Sequence, residues 1–381
     1  MPLLTIRLSR IAFLCAWIIA ILIAVEISLQ AYYRVKYGDW LAGRVGIPIY
    51  AEDPDRFFRV APGLSYNHAT PEFDVIYYTN NLGFRTDSTR KANSWEKPES
   101  TYRVLVLGSS FTFGIGVDYE DTFLARIRTE FAESNPNLEI LSIATPGQSI
   151  WQQQCWLEAH GRELEADLIV QIITGSGRLR HECDHDFASP PSVKDRFLYS
   201  AKATRATRIR NTVKNLGIVY FSWQALSRAE LADEQTDPAF VELAPLWDLP
   251  ALSPARQIDS YTQYLDDVAR IVGSEPNVIF VHIPYNFVVD EAYLDRWKRS
   301  GFTAEHVSQL HKFGLELARL MEESGINFVS LIDGLVQMQQ TEQVYNFTDI
   351  HFTPAGHKLL SEFLIDRIRT AVDGTASPEQ D

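Results

Sequence analysis

Cysteine is scarce in this sequence, with three residues in a chain of 381. Three cysteines are too few for the disulfide framework of a small secreted domain. Cys155 and Cys183 are compatible with a disulfide in an oxidising compartment and equally with two free thiols. Cys15 lies in an apolar run, far from both in sequence. Cysteine usage therefore leaves the compartment open.

An excess of basic charge is also missing, because 35 Lys and Arg stand against 49 Asp and Glu, a formal net charge of −14. Binding of a nucleic-acid backbone needs clustered Lys and Arg, so this balance argues against a nucleic-acid partner. Internal repeats and low-complexity tracts are absent from the sequence. With 46% hydrophobic and 22% charged residues, the composition predicts a globular protein with a sizeable core.

Complete nucleotide or metal motifs are lacking as well. A P-loop requires a Lys after its second glycine, and a dinucleotide fingerprint requires a third glycine that does not follow Gly114 and Gly116. The stretch His181–Asp186 is rich in metal-ligating residue types, but it has neither separated ligand pairs nor a helical His-x3-His. We therefore expect no cofactor and no metal, and interpret that stretch as a loop at the mouth of a cleft.

A long uncharged segment stands at the amino-terminus. Ile11 to Val25 carries no charge, and the apolar character continues past Glu26, with Arg7 and Arg10 in front. Such a run predicts a single-pass transmembrane anchor in residues 1–37, with the amino-terminus inside. The large domain would then lie on the periplasmic side of the inner membrane. A cleaved signal peptide and a buried soluble helix are the alternatives.

The rest of the chain shows three regions. Residues 38–100 read as an irregular lead-in that packs on the main domain, with a strand-like stretch at 73–79. Residues 101–373 alternate short apolar strands with helical stretches, and 374–381 read as a tail. Strands are predicted at 104–107, 138–143, 168–173, 278–283 and 327–331, and helices at 121–131, 150–164 and 354–372. This alternation predicts a parallel sheet covered by helices on both faces, a three-layer α/β/α domain.

An insertion at about 187–254 interrupts this alternation. Its first half is basic, with residues including Arg205, Arg208 and Lys214, and its second half is acidic. The pattern predicts a solvated helical insertion. A surface that meets anionic lipid headgroups or an acidic polymer is the alternative.

A small glycine-rich turn follows the first apolar strand, in Val104-Leu-Val-Leu-Gly-Ser-Ser-Phe-Thr-Phe-Gly-Ile-Gly116. In open α/β sheets, ligands bind in the crevice beyond the carboxyl ends of the strands. Ser110, at the start of this turn, would present its hydroxyl there, with backbone N–H groups nearby. Taken alone, the turn is more typical of a structural role than of a nucleophile.

A second motif, Phe347-Thr-Asp-Ile-His-Phe-Thr-Pro-Ala-Gly-His357, precedes the last predicted helix. Residues two apart in an extended segment project to the same side, so Asp349 can hold one imidazole nitrogen of His351 while the other faces a serine. Together with Ser110, the pair forms the pattern of a catalytic triad. His357 is interpreted as a structural residue of the helix, and His282 as a satisfied histidine at a strand end.

These blocks resemble the SGNH/GDSL hydrolases, which carry a Gly-Asp-Ser block after the first strand and an Asp-x-x-His block before the last helix. The stretches Asn80-Asn-Leu-Gly-Phe-Arg and His351-Phe-Thr-Pro-Ala-Gly-His are similar to members with an amino-terminal membrane anchor. Gly147, in Ala-Thr-Pro-Gly-Gln-Ser, matches the oxyanion glycine. The resemblance covers about residues 80–370, apart from the insertion. It implies a flavodoxin-like fold, Ser110 as nucleophile, Asp349 and His351 as its partners, and an oxyanion hole at Ser110 and Gly147.

The sequence departs from this family at three points. Ser109 replaces the aspartate that braces the nucleophile turn, and its hydroxyl is expected to hydrogen-bond the turn instead. The family asparagine is absent, which leaves Ser176, or Thr174, as a weaker oxyanion donor. Asp349 and His351 are one residue closer than usual, as in SGNH-like proteins that O-acetylate exopolysaccharides.

The resemblance implies an esterase that hydrolyses acyl esters, in the first place acetyl esters, carried by a polysaccharide or a lipid. A polysaccharide O-acetyltransferase and a non-catalytic SGNH-fold binding protein are the alternatives.

Overall fold

The structure is a computed structural model that describes residues 2–37, 41, 49–53, 57–70, 72–89, 93–175, 213, 216–222, 254–272, 277–298, 302–347 and 349–375. The chain divides into two compact units. The first combines residues 1–48 with residues 200–234, and the second comprises residues 49–199 and 235–381.

The described residues of the second unit form ten strands. They are β1 (Tyr50–Asp53), β2 (Phe57–Val60), β3 (Ser65–Ala69), β4 (Asp74–Thr79), β5 (Arg85–Thr86), β6 (Tyr102–Gly108), β7 (Leu138–Ala144), β8 (Leu168–Thr174), β9 (Asn277–Ile283) and β10 (Phe328–Ser330). Its helices are α2 (Ser110–Phe113), α3 (Phe123–Ser134), α4 (Ile150–Leu164) and the helices Pro254–Val272, Asn286–Val289, Leu294–Lys298, Ala304–Glu323, Ile332–Gln339 and Pro354–Thr375.

Five parallel strands form the central sheet in the order β10-β9-β8-β6-β7. Counted along the chain from β6, this is the flavodoxin-like order 2-1-3-4-5 of a doubly wound sheet. Val104 and Val106 belong to one apolar cluster, whereas Leu105 and Leu107 belong to another. Because neighbouring strand residues face opposite sides, the sheet is buried on both faces. The predicted three-layer α/β/α architecture is confirmed.

The predicted strands and helices agree closely with the observed ones. α4 spans the predicted residues, and its start is fixed by a capping box between Ser149 and Gln152. Thr122 caps α3 by accepting a hydrogen bond from the Ala125 N–H at 3.2 Å. The final helix begins at Pro354, as predicted, because proline is well suited to the first helical position.

The lead-in is more ordered than the irregular segment that was expected. β1 and β2 form one antiparallel pair, and β3, β4 and β5 form a three-stranded antiparallel sheet. The predicted strand-like stretch corresponds to β4, in which exposed or half-buried side chains alternate with buried ones. Short strands of mixed polar and aromatic residues give little periodicity in the sequence, which explains the difference. Side chains of this lead-in contact the turn after β6, the turn after β7 and the loop before the final helix.

The first unit contains α1 (Pro2–Tyr37) and residues 216–222, which include a short helical segment. The segment Phe13–Val35 of α1 is long and apolar enough to cross a membrane, a property that an amino-terminal signal sequence shares. Most of the predicted insertion, the stretch His181–Asp186 and most of the predicted tail lie outside the described residues.

Candidate active site

The turn that carries Ser110 begins where β6 ends. Gly108 is the last strand residue, and a Cβ at this position would lie 1.8 Å from the Thr112 Oγ1. Only glycine therefore allows the chain to fold so closely onto α2. Ser110 is the first residue of α2 and is half-buried at the carboxyl end of β6.

Ser109 does not brace this turn in the expected way. It stands at the N-cap position of α2, but its side chain makes no capping hydrogen bond. The buried Arg85 side chain holds the far end of the turn instead. Its guanidinium donates to the carbonyls of Phe113, at 2.9 Å, of Gly114, and of Val117, at 2.5 Å.

The surroundings of Arg85 are aromatic. The guanidinium lies 4.6 Å from the ring centre of Tyr77, a favourable cation–π distance. Burial lowers the pKa of Arg85 to about 10, so the group still carries its charge at neutral pH. Tyr77 also accepts a hydrogen bond from the Gly116 N–H at 3.0 Å. The lead-in thus fixes the backbone that follows the nucleophile candidate.

Asp349 and His351 are joined as predicted. The Asp349 Oδ1 contacts the His351 Nδ1 and also accepts a hydrogen bond from the His351 backbone N–H at 2.9 Å. Burial raises the pKa of Asp349, but the charge and hydrogen bonds of His351 outweigh this effect and hold the pKa at about 2. The carboxylate is therefore ionised at neutral pH. Glu72 of the lead-in accepts a hydrogen bond from the Asp349 N–H at 2.9 Å and so positions this loop.

The other imidazole nitrogen of His351 is buried and has no hydrogen-bond partner among the described residues. The His351 ring packs against Phe111, the residue after Ser110, with 5.0 Å between ring centres. The structure therefore brings the loop of the Asp–His pair against the helix that carries Ser110. No hydrogen bond joins Ser110 to His351 in this state. Such catalytic hydrogen bonds are often long before substrate binds.

Gly147 lies in a tight turn after β7. The Gln148 N–H donates to the Thr145 carbonyl at 3.2 Å, and Gly147 has a φ of +83°. Proline followed by a residue with positive φ is typical of a type II turn. The Thr145 N–H donates to the Gly108 carbonyl at 3.3 Å, which joins this turn to the end of β6.

The Gly147 turn is held by Tyr50 of β1, whose hydroxyl donates to the Pro146 carbonyl at 3.0 Å. That carbonyl and the Gly147 N–H belong to one planar trans peptide, so they point in opposite directions. The Tyr50 hydrogen bond therefore orients the predicted oxyanion donor. Burial raises the pKa of Tyr50, which keeps its hydroxyl protonated.

Ser176, the predicted third donor, lies outside the described residues. Gly175 just before it has a φ of +84°, and a Cβ there would lie 1.8 Å from the Tyr285 hydroxyl. His282 bonds the Gly175 carbonyl through Nε2 at 2.8 Å and Ser330 through Nδ1 at 3.2 Å. Burial lowers the pKa of His282 to about 4, so it is the satisfied neutral histidine that the sequence suggested.

His357 has the structural role that was predicted. It is fully buried in the final helix, where its ring stacks on Phe123 and its Nδ1 accepts a hydrogen bond from the Phe123 N–H at 3.4 Å. Burial is the main reason that its pKa falls to about 3. Within the described part of the chain, no group of three or more His, Cys, Asp or Glu side chains could hold a metal ion.

Three lead-in residues at the site, Tyr50, Glu72 and Arg85, were not predicted from the sequence. Arg85 belongs to the stretch Asn80–Arg85, whose resemblance to anchored SGNH members was the one available signal. Asn80 shapes this stretch by accepting hydrogen bonds from the N–H groups of Leu82 and Phe84, both at 2.9 Å. Tyr50 and Glu72 lie in stretches without a recognisable pattern.

The fold of this protein is similar to those of several solved structures. No protein-family model matches the sequence, and no curated protein shows significant similarity to it. A lipase/acylhydrolase from Enterococcus faecalis is 12% identical with a TM-score of 0.39, covering 74% of this chain and 100% of its own. A catalytic mutant of an acetylxylan esterase from Geobacillus stearothermophilus is 10% identical with a TM-score of 0.39, covering 71% and 96%. A member of the lipolytic G-D-S-L family from Veillonella parvula is 11% identical with a TM-score of 0.37, covering 70% and 97%. Likeness at this identity concerns the fold alone.

Proposed function

We propose that this protein is a membrane-anchored serine esterase that hydrolyses acyl esters, with acetyl esters as the first choice. The observation that carries the proposal is the half-buried His351, held by Asp349 through one ring nitrogen and unpartnered at the other, buried one within the described chain. This ring packs against Phe111, the residue after Ser110 in the helix at the carboxyl end of β6, where α/β enzymes bind their ligands.

In the proposed reaction, the Ser110 hydroxyl attacks the ester carbonyl while His351 takes its proton. Asp349 stabilises the resulting imidazolium, and the backbone N–H groups of Ser110 and Gly147 bind the oxyanion, with Ser176 assisting. His351 then gives the proton to the departing alkoxide, which leaves an acyl-serine. Water, deprotonated by His351, then attacks this acyl group; the bond from the acyl carbon to the Ser110 oxygen breaks, His351 returns the proton to that oxygen, and the carboxylic acid leaves. In this cycle the nucleophile, the general base and the oxyanion donors are all residues of this chain.

The substrate is proposed to be an acyl ester on a polysaccharide or a lipid at the outer face of the inner membrane. α1 runs without a break from Pro2 to Tyr37, and the side chains between Phe13 and Val25 are exposed, which suits a bilayer span better than a helix buried in a soluble core. The basic residues before this run favour an amino-terminus inside.

The anchor proposal predicts that the full-length protein stays in the membrane fraction after an alkaline carbonate wash, because a spanning helix resists extraction. Protease added to spheroplasts should degrade the large domain, whereas intact cells should protect it. Immunoblotting with an antibody to the large domain measures both. Release by carbonate, or protection in spheroplasts, would contradict the anchor or its orientation.

The serine mechanism is tested by mass spectrometry of the full-length protein treated with a fluorophosphonate. One adduct is expected, on the peptide that contains Ser110. A chromogenic acetyl ester, assayed with and without a polysaccharide acceptor, separates the esterase from a transferase, because only a transferase needs the acceptor for turnover. A well-folded protein that takes no label would favour a non-catalytic binding protein.

A further prediction concerns the turn at Gly147. Tyr50→Phe leaves the Gly147 N–H in place but frees its peptide to rotate, so we expect kcat to fall about tenfold, less than the 10²–10³ that loss of a whole oxyanion donor causes. The free energy of unfolding should fall by only about 1 kcal/mol, the contribution of one hydrogen bond. Gly147→Val should lose nearly all activity, since valine is strained at a φ of +83°.

The matched control is Tyr78→Phe, which removes a tyrosine hydroxyl from the neighbouring lead-in sheet. Steady-state kinetics with an acetyl ester and thermal unfolding measure both effects. Equal activity in Tyr50→Phe and Tyr78→Phe would show that Tyr50 does not position the oxyanion donor.

A further inference from the structure

α1 carries one acidic residue between Phe13 and Val35, namely Glu26. With a rise of 1.5 Å per residue, Glu26 lies about 14 Å along the helix from Val35. In a helix that spans a bilayer, this depth places a carboxylate below the headgroups, where charge is expensive unless it is paired or hydrogen-bonded. Glu26 therefore needs partners within its own unit.

Two of the three hydrogen-bond partners given for Glu26 lie far along the chain. Its carboxylate accepts hydrogen bonds from the backbone N–H groups of Gly217, at 2.7 Å, and Ile218, at 3.0 Å. The Gln30 side chain, one turn further along α1, donates to the same carboxylate at 2.7 Å. Gly217 and Ile218 open a short helical turn, where backbone N–H groups have no partner within the helix. The carboxylate and these donors thus satisfy each other.

The contact between the two segments is close and continues along α1. A Cβ on Gly217 would lie 2.7 Å from the Leu29 Cβ, so this approach requires glycine. Two edge-on aromatic pairs extend it, Tyr33 with Tyr220 at 5.6 Å and Tyr32 with Phe221 at 5.7 Å between ring centres. Such small-residue contacts and shared polar groups are typical of helix packing in membranes.

Apart from Ser222 at its end, the exposed side chains of the 216–222 segment are apolar. Leu216 and Val219 are 41% and 37% exposed, and the neighbouring residue Val213 is 48% exposed. On α1, the side chains of Ile23 and Ile27 are also exposed. Apolar side chains that remain exposed on both packed segments fit a surrounding of lipid acyl chains.

We infer that residues 216–222 form a second membrane-embedded element, which enters the leaflet at the carboxyl-terminal end of α1 and packs against it around Glu26. Its partner is the acyl-chain region of the bilayer. The anchor would then be an assembly of two segments that are 191 residues apart in the sequence, rather than a single helix. This inference rests on the proposed membrane anchor, but it is independent of the esterase chemistry.

The test uses the full-length protein in vesicles of phosphatidylcholine with a minor fraction of phosphatidylglycerol. The three native cysteines are replaced by alanine, and a nitroxide is attached at Val219→Cys, Ile19→Cys or Glu305→Cys. Accessibility to oxygen and to a water-soluble nickel chelate is measured by electron paramagnetic resonance. We expect the label at Val219 to resemble the label at Ile19, with high accessibility to oxygen and low accessibility to the nickel chelate. The label at Glu305, on the exposed start of the helix Ala304–Glu323, should have high accessibility to the nickel chelate.

Three variants and a matched control test the role of Glu26. Glu26→Leu and Gly217→Val should each raise nickel accessibility at Val219 severalfold, since one removes the acceptor and the other collides with Leu29. Glu26→Gln keeps an acceptor oxygen and should have a smaller effect, and Leu216→Val serves as the matched control for Gly217→Val. Nickel accessibility at Val219 equal to that at Glu305, with Ile19 still protected, would overturn this inference and leave the anchor intact. Nickel access at Ile19 as well would overturn the anchor itself.

Discussion

Replacing Ser110 by alanine should abolish fluorophosphonate labelling and lower ester hydrolysis by at least about 10³-fold, because the acyl-enzyme can no longer form. Ser110 is the first residue of α2, directly before the Phe111 ring that contacts His351. Ser109 stands one position earlier, at the N-cap. Ser109→Ala is therefore the matched control, and it should keep labelling and most of the activity.

The same mechanism predicts how the three residues combine. Asp349→Ala and His351→Ala should each lose most of the activity, and the triple variant should lose little more than Ser110→Ala, because members of a triad act as a unit. Active-site titration with the fluorophosphonate and steady-state kinetics with an acetyl ester measure these effects. Labelling of Ser109, or an active Ser110→Ala variant, would rule the mechanism out.

The second large effect is expected at Arg85. Arg85→Met leaves three carbonyls, those of Phe113, Gly114 and Val117, without their cationic donor. Hydrogen bonds to a charged group contribute about 1.5–3 kcal/mol each, but removal of a buried cation also removes its desolvation cost, so the net loss in the free energy of unfolding should be roughly 3–5 kcal/mol. Because these carbonyls belong to the last residue of α2 and to the turn after it, kcat should also fall sharply in the protein that remains folded.

Arg126→Met is the matched control for Arg85→Met. Arg126 is partly exposed and pairs with Asp121 at 2.7 Å, so its loss should change the free energy of unfolding by no more than about 1 kcal/mol. Arg85→Lys should recover part of the stability, since one ammonium can reach fewer carbonyls than a guanidinium. Chemical denaturation measures all three variants. Equal unfolding midpoints for Arg85→Met and Arg126→Met would contradict the bracing role of Arg85.

The central sheet could be predicted from the sequence because its strands are buried on both faces. Such strands read as uninterrupted apolar runs, and Val104 to Leu107 is one of them. The contact between Asp349 and His351 could also be predicted, because two residues separated by one position are neighbours in almost any extended backbone.

The bracing residues could not be predicted, because their contacts are not local. Tyr50 contacts Pro146 across 96 residues, and Arg85 contacts Phe113 across 28. Nothing in the neighbourhood of either residue in the sequence indicates burial or a backbone acceptor. The same reason explains why residues 200–234, which were expected to belong to the large domain, group with α1, since Gly217 bonds to Glu26 across 191 residues.

The hydrogen bond between Glu72 and Asp349 joins residues that are 277 positions apart. A ribosome releases the chain amino-terminus first, so the lead-in and the turn with Ser110 emerge long before the loop of Asp349 and His351. Long-range contacts of this kind form late in folding, because the intervening chain must first be brought together. The proposed nucleophile therefore has no base beside it until the loop of Asp349 and His351 has been synthesised and docked. Truncated or unfinished chains should be inert toward esters, whatever fraction of the central sheet they have already formed.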